Sequence, residues 1–322
     1  MTDSRMGTSF EDFLEIQKRF NDAVYGDIGN DRKEEITKSL ALALHSEVAS
    51  IASAVNFKDH TSHRAQVNKD KLLYESVDAF RYILALLNTW DISADQFCRA
   101  FSDKNSFLWT RKECEKTKWN GQDVILIDVD DVRAGFREGF FAWIESKYGV
   151  YVDIETDQYY TTTPLKAKNL NPEEIFQEFL REGGMSTLPV IRGTQEFLET
   201  LMKKGYWIQL LTARPESNPR CFYDTFLWLR DAGLPFHRVN FAPEKFIWAA
   251  QSQYYGKCRI VAVDDSPKHC AEYAKHGIEV ASPVKSYNRE VHGIPGVHMY
   301  ETFDQAIQII DRLISCKEDA NS

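Results

Sequence analysis

The sequence predicts two parts of different class, an all-α N-terminal helical bundle followed by an α/β domain built on a parallel, Rossmann-like sheet. Three observations carry this expectation. Residues 10–112 place apolar side chains at helical spacing, contain no proline and have only Gly26 and Gly29 to interrupt them. At KTKWNGQDVILIDVDD (116–131) the texture changes, and the turn signal Asn120-Gly121 runs into the short apolar stretch Val124–Ile127. Beyond it, strand-length apolar runs alternate with helical patterns, the arrangement that wraps helices around a parallel sheet.

In the first part, Leu44, Val48, Ile51 and Val55 mark one principal helix, and Leu73, Val77, Phe80, Leu84 and Leu87 mark a second. Polar residues 58–71 connect them, and a third helix covers 93–112. In the second part, strands are expected at 124–128, 206–212, 237–241, 259–263 and 278–281. The boundary falls near residue 118, giving a helical domain 1–117 and an α/β domain 118–322.

Composition narrows the function classes. The chain is 43% hydrophobic and 27% charged, as an ordinary globular protein is. A net charge of −9 weighs against a broad nucleic-acid surface, which needs excess Lys and Arg, but admits small phosphorylated substrates whose charge a metal neutralises locally. Cysteines 98, 114, 221, 258, 270 and 316 form neither a CxxC pair nor a cluster with His, so reduced thiols are expected. The N-terminal segment MTDSRMGTSFEDF lacks the apolar core of a secretory signal, and no stretch approaches the roughly 20 apolar residues that span a bilayer. A soluble, cytoplasmic protein is the expectation.

Ligands of a parallel sheet bind at the carboxyl ends of its strands. Three strand ends here carry chemistry: Asp128 and Asp130 after VILI, Thr212 closing WIQLLT, and Asp264-Asp265 after RIVAV. Taken singly, each acid can be the cap of a strand or helix. Gathered at one sheet edge, several carboxylates repel unless a cation neutralises them, and an all-oxygen cluster suits Mg²⁺.

These residues bring the segment to a family it resembles, the haloacid-dehalogenase superfamily of phosphatases, whose four motifs occur here in order. Asp128-Val129-Asp130-Asp131-Val132 matches DxDx(T/V), Thr212 in LLTARP the second motif, Lys245 in FAPEKF the third, and Asp264-Asp265 in VAVDDSPKH the fourth. The resemblance implies that Asp128 attacks phosphorus to form an aspartyl-phosphate, that Asp130 protonates the leaving oxygen and then activates water, and that Thr212 and Lys245 hold the phosphoryl oxygens. It further implies Mg²⁺ bound by Asp128, the backbone carbonyl of Asp130, and Asp264 and Asp265. Lys257 and Lys268 lie close enough to Lys245 to compete for the third motif. The first motif departs from the family in having Asp131 where glycine is common and Val132 where threonine is.

The helical insert from 133 to about 189 is long enough for a small cap over the site. It holds Phe136, Phe140, Phe141, Trp143 and the pair Tyr159-Tyr160, with Lys166 and Lys168, aromatics that either pack or stack on a nucleobase. SPVKSYN (282–288) and LLTARP resemble segments of 5′-deoxyribonucleotidases, which implies a (deoxy)nucleotide substrate. A polynucleotide-end phosphatase would share the same four motifs.

In the helical part, Glu75 and Asp78 share a helix face, and Glu47 borders the apolar stripe of the preceding helix. This half resembles the all-α nucleoside triphosphate pyrophosphatases, the MazG-like proteins and dimeric dUTPases, whose ExxE and ExxD pairs hold Mg²⁺ against a triphosphate. Glu75 and Asp78 match the second pair, DKNSFLWTRK (103–112) resembles the Lys-Asn segment of the dUTPase branch, and Lys58 stands where that branch has a basic residue. The first pair is incomplete, since Ser50 follows Glu47 where a second acid is usual. Together the resemblances imply a pyrophosphatase that supplies monophosphate to a nucleotidase on the same chain, assembled as a homo-oligomer through the helical half. The alternative is a non-catalytic nucleotide-sensing or oligomerisation module that regulates the phosphatase.

Overall fold

The structure is a computed structural model, and it describes residues 9–26, 28–55, 67–155, 163–251 and 258–315. Lys58, Tyr159, Tyr160 and Lys257 lie outside the described residues. The chain divides into two compact units, residues 1–102 and 103–322.

The first unit is helical. Helix α1 (Phe10–Tyr25) starts on a capping box, in which the Asp12 amide donates to the Ser9 hydroxyl and the Ser9 amide to the Asp12 carboxylate. Helices α2 (Lys33–Ser53) and α3 (Lys69–Thr89) follow, the latter capped by Asn68, and α4 (Ala94–Lys116) crosses from this unit into the next. Both α1 and α2 pack on α3: Leu14 joins Leu84 and Leu87, while Ile36 and Leu40 join Ala85. The expected stripe on α3 is buried only at its C-terminal end. Leu73 and Val77 are exposed, as are Val48 on α2 and Phe13, Ile16, Phe20 and Val24 on α1. Sequence periodicity finds the stripe but cannot say how much of it a thin layer of helices covers.

The second unit opens with the last turns of α4, where Asp103 pairs with Arg220 and Phe107 packs against Phe222 and Phe226. Its parallel sheet comprises β1 (Val124–Ile127), β2 (Trp207–Thr212), β3 (Arg238–Phe241), β4 (Ile260–Val263), β5 (Glu279–Pro283) and β6 (Val297–Tyr300), in the order β3-β2-β1-β4-β5-β6. The five expected strands are present, and β6 is an addition at the sheet edge.

Period-two alternation distributes each strand between two layers. Ile125 and Ile127 enter a core with Leu198 and Leu201 of α8 (Thr194–Lys203), Leu229 of α9 (Pro219–Ala232) and Ile310 of α12 (Phe303–Ser315). Val124 and Leu126 face the other layer, with Ala249 of α10 (Lys245–Gln251) and Tyr273 of α11 (Pro267–Lys275). Strand order reverses between β1 and β4, so a crevice opens at their carboxyl ends. The cap comprises α5 (Phe136–Tyr148), α6 (Thr163–Ala167) and α7 (Pro172–Arg181), with a small core of its own built on Phe141, Ile144, Leu165 and Ile175. A helical N-terminal region and a parallel α/β domain carrying a small helical insert are therefore what the chain has. Among the described residues, no helix is long and apolar enough to cross a membrane.

Candidate active site

Asp128 is the first residue past β1, and its amide donates to the carbonyl of Val263 on β4, so the reversal of strand order itself sets the carboxylate in the crevice. Asp264 and Asp265 leave β4 beside it. Oxygens of Asp128, Asp264 and Asp265 lie within 4.8 Å of one another, and all three residues are buried. One cation meets them: the Lys245 ammonium sits 2.7 Å from Asp128 and 2.8 Å from Asp264. Lys245 is itself only 1% exposed, whereas Lys268 pairs with Glu244 on the surface. Of the two described candidate lysines, Lys245 is the one brought to the carboxylates.

The electrostatics follow from that count. Burial raises the Asp128 carboxyl to about 6, with Lys245 opposing the rise and Asp264 and Asp130 adding to it. Burial, then Asp128, Asp131 and Asp264, push Asp265 well above the ordinary carboxylate range. Burial works against the Lys245 ammonium, but Asp128 and Asp264 outweigh it and hold its pKa above the ordinary value. Lys245 pairs with two of the three clustered buried carboxylates, and the donor set is all hard oxygen. These residues fit a divalent cation of the Mg²⁺ type.

A further layer holds the acids in place. The Tyr287 hydroxyl donates to Asp265 Oδ2 at 2.6 Å, and Asn288 Nδ2 donates to the Asp265 and Pro283 carbonyls. The SPVKSYN segment thus braces the fourth motif. Asp131 has a left-handed φ of 53°, which explains why glycine is usual at its place, and its carboxylate accepts the Arg137 amide at the start of α5. Val132 is buried in the core beneath.

Thr212 is fully buried at the end of β2, and its Oγ1 accepts the Arg214 amide at 3.2 Å. The Asp130 carboxylate turns to Arg214, whose Nη2 reaches Oδ1 at 2.7 Å and whose Nε reaches Oδ2 at 3.0 Å. This arginine has no role in the sequence reading, although it stands inside the LLTARP segment; a charged residue two positions past the end of a buried strand is the signal that could have marked it. His269 was also missed. It is 8% exposed in the first turn of α11, lines the same cavity, and burial with Lys245 lowers its pKa to about 4, so the imidazole is neutral.

The acids open into a cavity of about 480 Å³. Asp128, Asp130, Lys245 and Asp265 line one end, and Phe136, Phe140, Phe141 and Phe176 line the cap side. Trp143 packs instead against Phe179, and its indole donates to Glu182. Lys166 and Lys168 are exposed.

A family model for 5′ nucleotidase, deoxy (pyrimidine), cytosolic type C protein matches residues 122–314, which takes in the sheet, the cap and the acids of this site. The chain belongs to the NT5C family. Membership makes the α/β domain of this NT5C chain a nucleotidase-type phosphatase, a phosphoric monoester hydrolase. The NT5C match leaves the helical unit outside it.

Solved structures similar to this chain include a haloacid dehalogenase-like hydrolase from Streptococcus pneumoniae, at 11% identity and a TM-score of 0.43, covering 59% of this chain and 99% of that one. A HAD-superfamily hydrolase of subfamily IA from Geobacter sulfurreducens aligns at 15% identity and TM-score 0.42, over 60% and 98% of the two chains. A HAD family hydrolase from Deinococcus radiodurans R1, with bound phosphate and sodium, aligns at 19% and 0.42, over 61% and 98%. No curated protein matches the sequence.

In the helical unit, carboxylate oxygens of Glu47, Glu75 and Asp78 come within 4.8 Å of one another, with Asp78 exposed and the other two half-buried. Ser50, the departure from the ExxE pattern, is half-buried one turn further along α2.

Proposed function

We propose that this chain removes the 5′-phosphate from nucleoside or deoxynucleoside monophosphates through an aspartyl-phosphate on Asp128. The observation that carries the reading is the junction of Asp128, Asp264, Asp265 and Lys245 at the floor of a phenylalanine-walled cavity. The family description, a deoxy-pyrimidine nucleotidase, supports the substrate class.

The Asp128 carboxylate attacks phosphorus, forming the acyl phosphate while the P–O5′ bond breaks. Asp130 gives the departing nucleoside oxygen its proton. Asp130 then takes a proton from water, whose oxygen attacks phosphorus, releasing orthophosphate and restoring Asp128. The Thr212 hydroxyl already accepts the Arg214 amide, so its own hydrogen is available to a phosphoryl oxygen, and Lys245 supplies the second donor. Mg²⁺, held by Asp128, Asp264, Asp265 and the Asp130 carbonyl, supplies charge neutralisation for nucleophile and phosphate together when bound. The cap phenylalanines exclude water and offer flat apolar faces to a base. A screen of phosphate release from ribo- and deoxyribonucleoside 5′-monophosphates against simple sugar phosphates tests the substrate class. Preference for sugar phosphates would overturn it.

The metal requirement has a pH signature. Without metal, Asp128 keeps its proton up to about pH 6, and burial holds the Asp265 carboxyl well above the ordinary carboxylate range as well. Cation binding must displace those protons, so affinity rises as pH rises through 6. The expected result is a half-saturating Mg²⁺ concentration that falls between pH 5 and 7 in titrations of phosphate release. A requirement unchanged across that range, or full activity after chelation, would contradict it.

The helical unit supports a second reading, motivated by the convergence of Glu47, Glu75 and Asp78: cleavage of a nucleoside triphosphate to monophosphate and pyrophosphate. Exposed Leu73, Val77, Val48 and the apolar residues of α1 support assembly of this unit into a homo-oligomer. Incubation of single dNTPs with Mg²⁺ is expected to release pyrophosphate, and Glu75→Gln to abolish it without changing phosphate release from dNMP. Orthophosphate from dNMP with no pyrophosphate from any dNTP would remove this step and leave the unit an assembly or nucleotide-sensing module.

A further inference from the structure

Arg214 is buried to 3% exposure at the mouth of the second motif, and each of its guanidinium nitrogens is engaged by the protein. Nη2 and Nε grip the two oxygens of Asp130, at 2.7 and 3.0 Å. Nη1 donates to Thr225 Oγ1 at 3.1 Å, and Thr225 in turn donates to the Cys221 carbonyl at 2.8 Å, so the guanidinium is anchored to α9 by a hydroxyl with no freedom to rotate. The Arg214 guanidinium also lies 5.9 Å from the Trp228 ring, whose indole is fixed on the Leu188 carbonyl. A bidentate arginine–carboxylate fork sets the plane of the carboxylate as well as its distance, which a lysine cannot do.

We propose that Arg214 is the positioning residue for Asp130: a fork anchored on α9 that holds the acid/base carboxylate in the orientation needed to pass a proton to the leaving oxygen. The inference rests on the acid/base reading of Asp130 given above. Asp130 and Thr225 take up three of the five guanidinium N–H donors, one on each nitrogen, which fixes the fork on Asp130. The effect of Arg214 reaches substrate through Asp130, and through the backbone amide that orients the Thr212 hydroxyl.

This assignment predicts a dependence on leaving group. A nucleoside 5′-oxygen needs a proton as it departs, whereas nitrophenolate leaves without one. In Arg214→Gln, kcat for a nucleoside 5′-monophosphate should fall about 10²- to 10³-fold with KM changed less than about threefold, since general acid–base help is worth that order. The nitrophenolate burst from p-nitrophenyl phosphate should fall by less than tenfold. Arg214→Lys, which keeps the charge and loses the fork, should recover only a small part of the nucleotide rate. Thr225→Val leaves the contact to Asp130 in place and removes its anchor; a loss of several-fold on nucleotide alone is expected, and this variant carries the test if Arg214→Gln does not fold.

Equal losses on both substrates, a KM raised more than about tenfold, or full rescue by lysine would overturn the inference. Asp130→Asn, run in parallel, separates the two claims. If it shows the leaving-group dependence and the Arg214 variants do not, the positioning role fails alone; if it shows none, the acid/base reading fails with it.

Discussion

Asp128→Asn is expected to lower phosphate release from nucleoside monophosphates by about 10⁴-fold or more, the scale on which loss of a covalent nucleophile is felt. The folded domain should survive intact. Asp128 is one of three clustered buried carboxylates and shares the Lys245 ammonium with Asp264, so a neutral amide relieves repulsion while Lys245 keeps its bond to Asp264. Thermal stability of the metal-free variant should match or exceed that of the wild type. A variant keeping more than about one hundredth of the activity would show that some other group attacks phosphorus.

Lys245→Met carries the second large effect, and there the fold suffers as well. The substitution keeps much of the volume but leaves Asp128 and Asp264 facing each other, buried, without the ammonium that pairs with both. Breaking a buried ion pair by removing one partner costs about 3–5 kcal/mol, a fall in Tm of roughly 10 °C for a domain of this size. The sign of the pH effect follows from Asp128, whose pKa is raised to about 6. Below that pH the carboxyl takes up a proton and the repulsion eases. The deficit relative to wild type should therefore be smallest near pH 5 and grow as pH rises through 6. Added Mg²⁺ should narrow it above pH 6. Differential scanning calorimetry at pH 5 and 7.5, with and without Mg²⁺, reads both effects; a Tm within about two degrees of wild type at pH 7.5 without metal would contradict the charge count.

What the sequence makes legible is what short range determines. β1 is visible because four apolar residues follow Asn120-Gly121, and the acids at strand ends are visible because a parallel sheet collects its ligands there. β6 is not: Val297-His298-Met299-Tyr300 is short, lies at the sheet edge with its two middle residues half-buried, and carries no uninterrupted apolar run. Arg214 was hidden for a different reason, since its partner Asp130 lies 84 positions away and only the pairing of β1 with β2 brings them together. The phenylalanines of the insert were visible as a cluster. Periodicity could not separate Phe136, Phe140 and Phe141, which line the cavity, from Trp143, which packs. The Asp131 departure from glycine is accommodated by a side chain that tolerates left-handed backbone and caps α5 in return.

Chemical trapping tests the covalent step. Enzyme quenched during turnover of a nucleoside 5′-monophosphate and reduced with borohydride converts an acyl phosphate on aspartate to homoserine, which peptide mass spectrometry locates. Homoserine is expected at position 128, and none there when substrate is omitted. Homoserine at another aspartate, or an unmodified residue 128 in enzyme shown to be turning over at the quench, would contradict it.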